Sequence, residues 1–155
     1  MKLKNMLLVV EDMERSKQFY KEALGLRVIM DFGSNITLTG GLSLQTKESW
    51  LNFIGVSKDY VEFGGRDCEV YFEEDNFDEF IEKLSGLKNI EYVHKAVEHS
   101  WGQRAVRFYD PDLHIIEVGE NIKAVCRRFI ESGMTDEEVS KRMDVPVKFV
   151  NACKR

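Results

Sequence analysis

The stretch NMLLVVEDMERSKQFYKEALGLRVIMDF, residues 5–32, starts as a strand and continues as a helix. Met6 to Val10 is an apolar run of strand length, and Glu11-Asp12 ends it. Met13, Phe19, Tyr20, Ala23 and Leu24 then gather on one side of a 3.6-residue period, and Gly25 marks the helix end. A second stretch, CEVYFEEDNFDEFIEKLSGLKNIEYV, residues 68–93, repeats the plan. Its strand also ends in Glu-Asp, at Glu74-Asp75, and Phe77, Phe80, Ile81 and Leu84 form a helix face at i, i+3, i+4 and i+7. Gly86 closes this helix, as Gly25 closes the first.

Each helix precedes three short strand-like runs. In the first half these are LRVIMDF, NITLT and LSLQT, separated by Gly33-Ser34 and Gly40-Gly41. In the second they are NIEYV, RAVRFY and HIIEV, with Asp110 to Asp112 turning the last pair. Each half therefore reads as βαβββ. Two copies of so long a period signal a duplication and not a solenoid. The expected fold class is α+β: paired βαβββ modules forming a cupped, barrel-like sheet, with a C-terminal helical appendage. The modules run over about 1–47 and 66–119, joined by a connector at 48–65. Trp50, Phe53, Tyr60 and Phe63 lie on that connector and imply that it is packed. From 120 to 155 the pattern is helical. Thr135 with Glu138 spells a capping box, and Pro146 sits in the first turn of a last helix.

Composition narrows the function classes. A hydrophobic content of 43% and a charged content of 32% over 155 residues describe an ordinary globular chain with room for a core. A net charge of -5 argues against general nucleic-acid or membrane binding. No apolar run approaches the roughly 20 residues of a membrane span. The N-terminal MKLKNMLLVVEDM lacks the apolar core and cleavage site of a signal peptide. Cys68, Cys126 and Cys153 are odd in number and share no metal-like spacing. They are expected to be free thiols in a cytoplasmic protein.

One residue stands out. Glu117 interrupts Ile115, Ile116 and Val118 on a strand that should be mostly dry. A buried carboxylate must be paired, protonated or metal-bound.

The paired modules, the D-x-x-R-S-x-x-F-Y…L-G run (Asp12, Arg15, Ser16, Phe19, Tyr20, Leu24, Gly25) and the F-Y-D-P-D…I-I-E run resemble the vicinal-oxygen-chelate superfamily. That group includes glyoxalase I, bleomycin- and fosfomycin-resistance proteins and extradiol dioxygenases. The resemblance covers roughly residues 1–119. It implies a small-molecule ligand, a homodimer, and a divalent metal (Mg, Mn, Ni or Zn) that polarises substrate oxygens. Aligned on Asp12 and Asp75, the glyoxalase I pattern places Asn5, Gln45, Glu69 and Glu117 in the metal positions. Glu117 or Glu69 would then be the catalytic carboxylate that moves the proton. This set departs from the commoner histidine-containing one. It is all oxygen, with a formal charge of about -2, and favours hard cations such as Mg²⁺ or Mn²⁺ over Zn²⁺.

The residues also permit a metal-free arrangement. Glu69 shares a strand face with Tyr71, and Arg107 shares one with Tyr109. Arg107 would satisfy Glu69 or Glu117 as well as a cation does. Beside these, EHSWGQR at 98–104 places His99, Trp101 and Gln103 in a loop entering a cavity strand. With Tyr71 and Arg107 they complete the expected substrate-binding set. His94, near a strand end, and His114, in a turn, read as exposed or capping histidines. The tail resembles a small helix-turn-helix in which Lys148, Asn151, Lys154 and Arg155 would face DNA. Its surplus of eight basic over six acidic residues from 120 onward is small, and packing on its own chain or a partner is the competing reading. Two functions follow: a metal-dependent lyase or isomerase on a small oxygenated substrate, or a metal-free module that sequesters a ligand. A ligand-sensing regulator ranks behind both.

Overall fold

A computed structural model describes residues 1–57 and 60–154. The chain divides into two compact units, one made of Met1–Cys68 with Tyr109–His114, the other of Glu69–Phe108 with the chain from Ile115 onward.

In the first unit, β1 (Met6–Val10) leads through α1 (Met13–Leu24) to β2 (Val28–Asp31), β3 (Asn35–Leu38) and β4 (Leu42–Thr46), followed by α2 (Lys47–Ile54). Asp12 starts α1 by accepting a hydrogen bond from the backbone N–H of Arg15 at 3.0 Å. Gly25 ends it in the left-handed conformation, φ 69°. The sheet order is β1-β4-β3-β2, with β1 parallel to β4 and β3 antiparallel to both β4 and β2. Leu8, Val10, Ile36, Leu38 and Leu44 are buried, as is Tyr20 of the helix. Each such side chain contributes roughly 1.5–3 kcal/mol of hydrophobic stabilisation.

The second unit repeats the order: β5 (Glu69–Glu74), α3 (Phe77–Gly86), β6 (Glu91–Glu98), β7 (Arg104–Tyr109, of which Tyr109 belongs to the first unit) and β8 (Ile115–Glu120). Its sheet order is β5-β8-β7-β6, with β5 parallel to β8. Phe77, Phe80 and Leu84 are the buried face of α3, at the spacing the sequence predicts. Val106, Phe108, Ile116 and Val118 supply buried strand positions. The two βαβββ modules are thus present. They form two four-stranded sheets, as paired modules of this α+β class should, and the strands do not close into a barrel.

The appendage is α4 (Ile122–Glu131), α5 (Asp136–Met143) and α6 (Val147–Cys153). Val125, Cys126, Val139, Met143, Val150 and Cys153 form its core. Burial and the neighbouring Cys153 push the Cys126 thiol up to about 12, so its sulfur behaves as an apolar packing group. Thr135 and Glu138 form the capping box that opens α5. Of the residues suggested to face DNA, Lys154 is paired with Asp136 at 2.6 Å. Arg155 lies outside the described residues. No helix among the described residues is long and apolar enough to cross a membrane.

Candidate functional site

The register of the second sheet sets Tyr71 of β5 opposite Glu117 of β8. In a parallel pair the two side chains leave the same face. Glu69 lies two residues from Tyr71 on that face, and Arg107 of β7 reaches across to it. Its Nε donates to Glu69 Oε2 at 2.8 Å, and its Nη2 donates to Glu117 Oε2. The third branch, Nη1, lies 3.2 Å from His94 Nε2. His94 Nδ1 lies 2.9 Å from the carbonyl of Lys95, which can only accept, so Nδ1 carries the hydrogen. The Nε2 of the neutral ring is then an acceptor for Arg107. One guanidinium therefore holds two carboxylates and an imidazole through a planar fork that a lysine lacks.

The charges are unequal in their surroundings. Glu117 is 6% exposed. Burial first, and then its hydrogen bond with Glu69, push its carboxyl up to about 7. Arg107 opposes that shift and, through its hydrogen bonds, holds Glu69 below the usual carboxylate range. The pair thus shares a proton close to neutral pH, with Glu117 the better home for it.

A second group adjoins the first. Gln103 Nε2 donates to the Tyr71 hydroxyl at 2.9 Å and to the carbonyl of Glu120 at 2.8 Å. Gln103 Oε1 accepts from the indole N–H of Trp101 at 3.1 Å. The rings of His99 and Trp101 stack with centroids 4.4 Å apart. Gly119 permits this arrangement. A Cβ there would lie 3.0 Å from both Gln103 Nε2 and Tyr71 Cε2, so the phenol rests across a strand position that only glycine leaves open.

All of the expected substrate-binding residues, with Glu69 and Glu117, therefore fall into two adjoining clusters of the second unit. His94 and Gly119 complete these clusters and escaped the sequence reading. In the sequence NIEYV shows as a short strand with His94 just past its end, whereas β6 runs to Glu98 and contains His94. Gly119 carried a legible signal, since it follows Glu117 at period 2 on the same face.

Asn5 and Gln45 belong to the first unit. The Asn5 side-chain amide donates to Ser43 Oγ at 2.5 Å. Gln45 is buried; its oxygen accepts from Asn35 at 3.2 Å and its amide donates to Ser49 at 2.9 Å. Three of the four expected metal donors thus have other uses. Gln45 oxygen is taken by an amide, and Glu69 and Glu117 are taken by Arg107, whose fixed positive charge would repel a cation beside them. This donor chemistry does not fit a divalent metal. Among the described residues, no three His, Cys, Asp or Glu side chains form a group able to hold one.

The family motifs of the first unit serve a different end. Arg15 donates to Asp112 at 2.5 Å, Ser16 Oγ donates to the same carboxylate at 3.4 Å, and the Tyr20 phenol donates to Asp110 at 2.7 Å. His114 Nδ1 lies 2.8 Å from Asp110, so this histidine is a structural partner.

A duplicated βαβββ chain with a polar sheet face defines a glyoxalase-like protein, and comparison with known proteins agrees. The family described as glyoxalase-like domain matches residues 3–123, and the chain belongs to it. Among solved structures, the chain is similar to a protein of unknown function from Agrobacterium tumefaciens str. C58, at 35% identity and a TM-score of 0.70. The likeness covers 79% of this chain and 95% of that one. A glyoxalase/bleomycin resistance protein/dioxygenase from Nocardioides shares the fold at 23% identity and a TM-score of 0.64, over 77% and 83% of the two chains. A glyoxalase-related enzyme from Fulvimarina pelagi does so at 21% and 0.65, over 77% and 88%. No curated protein matches the chain in sequence.

Proposed function

We propose that this chain is a metal-free, small-molecule-binding member of the glyoxalase-like family, and that its ligand lies on the Tyr71–Glu117 face. The observation that carries this reading is Arg107 clamped between Glu69 and Glu117. It supplies the positive charge that a metal supplies in the metal-dependent lyase or isomerase arrangement. Tyr71, 47% exposed, and Trp101, 38% exposed, offer flat apolar surface with polar edges. A small planar ligand with neighbouring oxygens would stack there and exchange hydrogen bonds with the Glu69–Glu117 pair.

The Glu117 carboxyl favours a second reading. A group pushed up to about 7 can both donate and accept a proton at neutral pH, as a general acid–base catalyst must. The enzymatic version would be a metal-free proton-transfer isomerase or lyase with Glu117 as the shuttling group.

Titration calorimetry with catechol, and with the hemithioacetal of methylglyoxal and a thiol, in excess EDTA tests both. Binding that survives EDTA and weakens in Arg107→Met is expected. Turnover of either compound, lost in Glu117→Gln, would favour the second reading. Stoichiometric metal in protein purified without chelator, required for binding, would overturn both. A homodimer in the cytoplasm completes the proposal. The exposed apolar side chains of β2 and its flank (Val28, Ile29, Met30 and Phe32) support the dimer, and sedimentation analysis tests that part.

A further inference from the structure

The C-terminal helices extend beyond residues 3–123, which the family match covers, yet α4 reaches the turn that carries Trp101 and Gln103. Two consecutive residues make the contact. Arg128 Nη2 donates to the carbonyl of Gly102 at 2.6 Å. The same nitrogen donates to Glu120 Oε2 at 3.0 Å, and the backbone carbonyl of Glu120 is one of the acceptors that fix Gln103. Phe129 lies directly on Gly102; a Cβ at that position would clash with its Cζ and Cε2 atoms. Gly102 has φ +88°, donates its N–H to His99 at 2.8 Å, and lies within a turn closed by His99 N–H on Gln103 at 2.9 Å. The guanidinium of Arg128 sits 5.1 Å from the centroid of the Phe129 ring, so the two side chains act as one block.

We propose that Arg128 and Phe129 are positioning residues for the ligand face: from the C-terminal helices they brace the 99–103 turn, and through it fix Trp101, Gln103 and Tyr71. The physical route is short. Gln103 has its oxygen on Trp101 and its amide on Tyr71 and Glu120. Moving the Gly102 backbone shifts the start of that side chain, and the Tyr71 hydroxyl follows or loses its donor. The glycine is required twice there, by its positive φ and by the ring above it. A preorganised face binds more tightly because less freedom is lost on binding. The helical appendage is then part of the binding apparatus. This inference rests on the reading of the Tyr71 face as a ligand site.

The test uses the full chain in a Trp50→Phe background, which leaves Trp101 as the single tryptophan. Acrylamide quenching of Trp101 reports the turn, and catechol titration reports the face. Phe129→Ala is expected to raise quenching about threefold and to weaken catechol about tenfold, with Phe129→Leu close to the parent. Should Phe129→Ala unfold the helices by circular dichroism, Arg128→Met removes only the polar half of the brace, and Arg128→Lys should restore part of it. Unchanged quenching and unchanged affinity in folded Phe129→Ala and Arg128→Met would overturn the brace. Catechol binding that ignores Tyr71→Phe and Trp101→Phe would instead overturn the ligand-site reading. The brace would then stand or fall on the quenching alone.

Discussion

The phenol of Tyr20 donates to the carboxylate of Asp110 across 90 residues of sequence, and neither side chain is more than 3% exposed. Asp110 also accepts from the backbone N–H groups of Asp112 and His114, each at 2.9 Å. This buried acceptor is fully used, and it ties α1 to the Asp110–Asp112 turn inside the first unit. Tyr20→Phe removes one donor and leaves the others. It should cost about 1–2 kcal/mol in urea unfolding. Asp110→Ala strands several donors at once and should cost clearly more. Equal losses for the two variants would show that the carboxylate is not the hub.

Gly119→Ala separates stability from binding. The new methyl would sit 3.0 Å from the Tyr71 ring and from Gln103 Nε2, closer than ordinary packing allows. Tyr71 is half exposed and can swing outward, while alanine suits a strand better than glycine. The change in unfolding free energy should therefore stay within about 1 kcal/mol. Catechol binding should fall at least about tenfold because Tyr71 has left its place. A variant that binds catechol normally would show that the ligand does not use Tyr71.

Arg107→Met leaves Glu69 and Glu117 facing each other with no cation between them. Removing one partner of a buried ion pair costs about 3–5 kcal/mol. Because Glu69 is 37% exposed, the loss here should be smaller, about 2 kcal/mol. Adding Glu117→Gln to Arg107→Met removes the repulsion and should recover part of that loss. If the double variant is as unstable as the sum of the single ones, the two residues are not coupled.

Most of the fold was legible because it was written twice in periodic form. The α3 face, the Glu-Asp strand ends and the Thr135–Glu138 cap all rest on local rules that short segments obey by themselves. The order of strands within each sheet was not legible, since it depends on which strand edges bond, and no local pattern encodes that. The site shows the same division. Period 2 put Glu69 beside Tyr71, and charge balance suggested Arg107 as a partner for Glu117. Placing His94 required the true length of β6. The Arg128–Phe129 contact with Gly102 joins segments that no motif connects, and Gln45 looks like a ligand until its partners Asn35 and Ser49 are seen.

The shared proton gives a pH signature with a defined sign. Glu117 has its carboxyl pushed up to about 7 in the folded chain, against an ordinary value of 4.5. The folded state therefore binds this proton more tightly than the unfolded one. The stabilisation is fully present below about pH 4.5 and is lost as pH rises through about 7. Glu69 is shifted the opposite way, so its contribution is present above the ordinary carboxylate value and is lost only at lower pH. The interval from about pH 5 to about pH 7 thus belongs to Glu117 within this pair. Glu117→Gln carries a permanent neutral group and should flatten the decline in urea midpoint over that interval. Every other titratable group is common to both proteins, so the difference between the two curves reports Glu117. Parallel curves for the parent and Glu117→Gln would mean that Glu117 stays ionised throughout, and the proton-transfer reading of this site would fail with it.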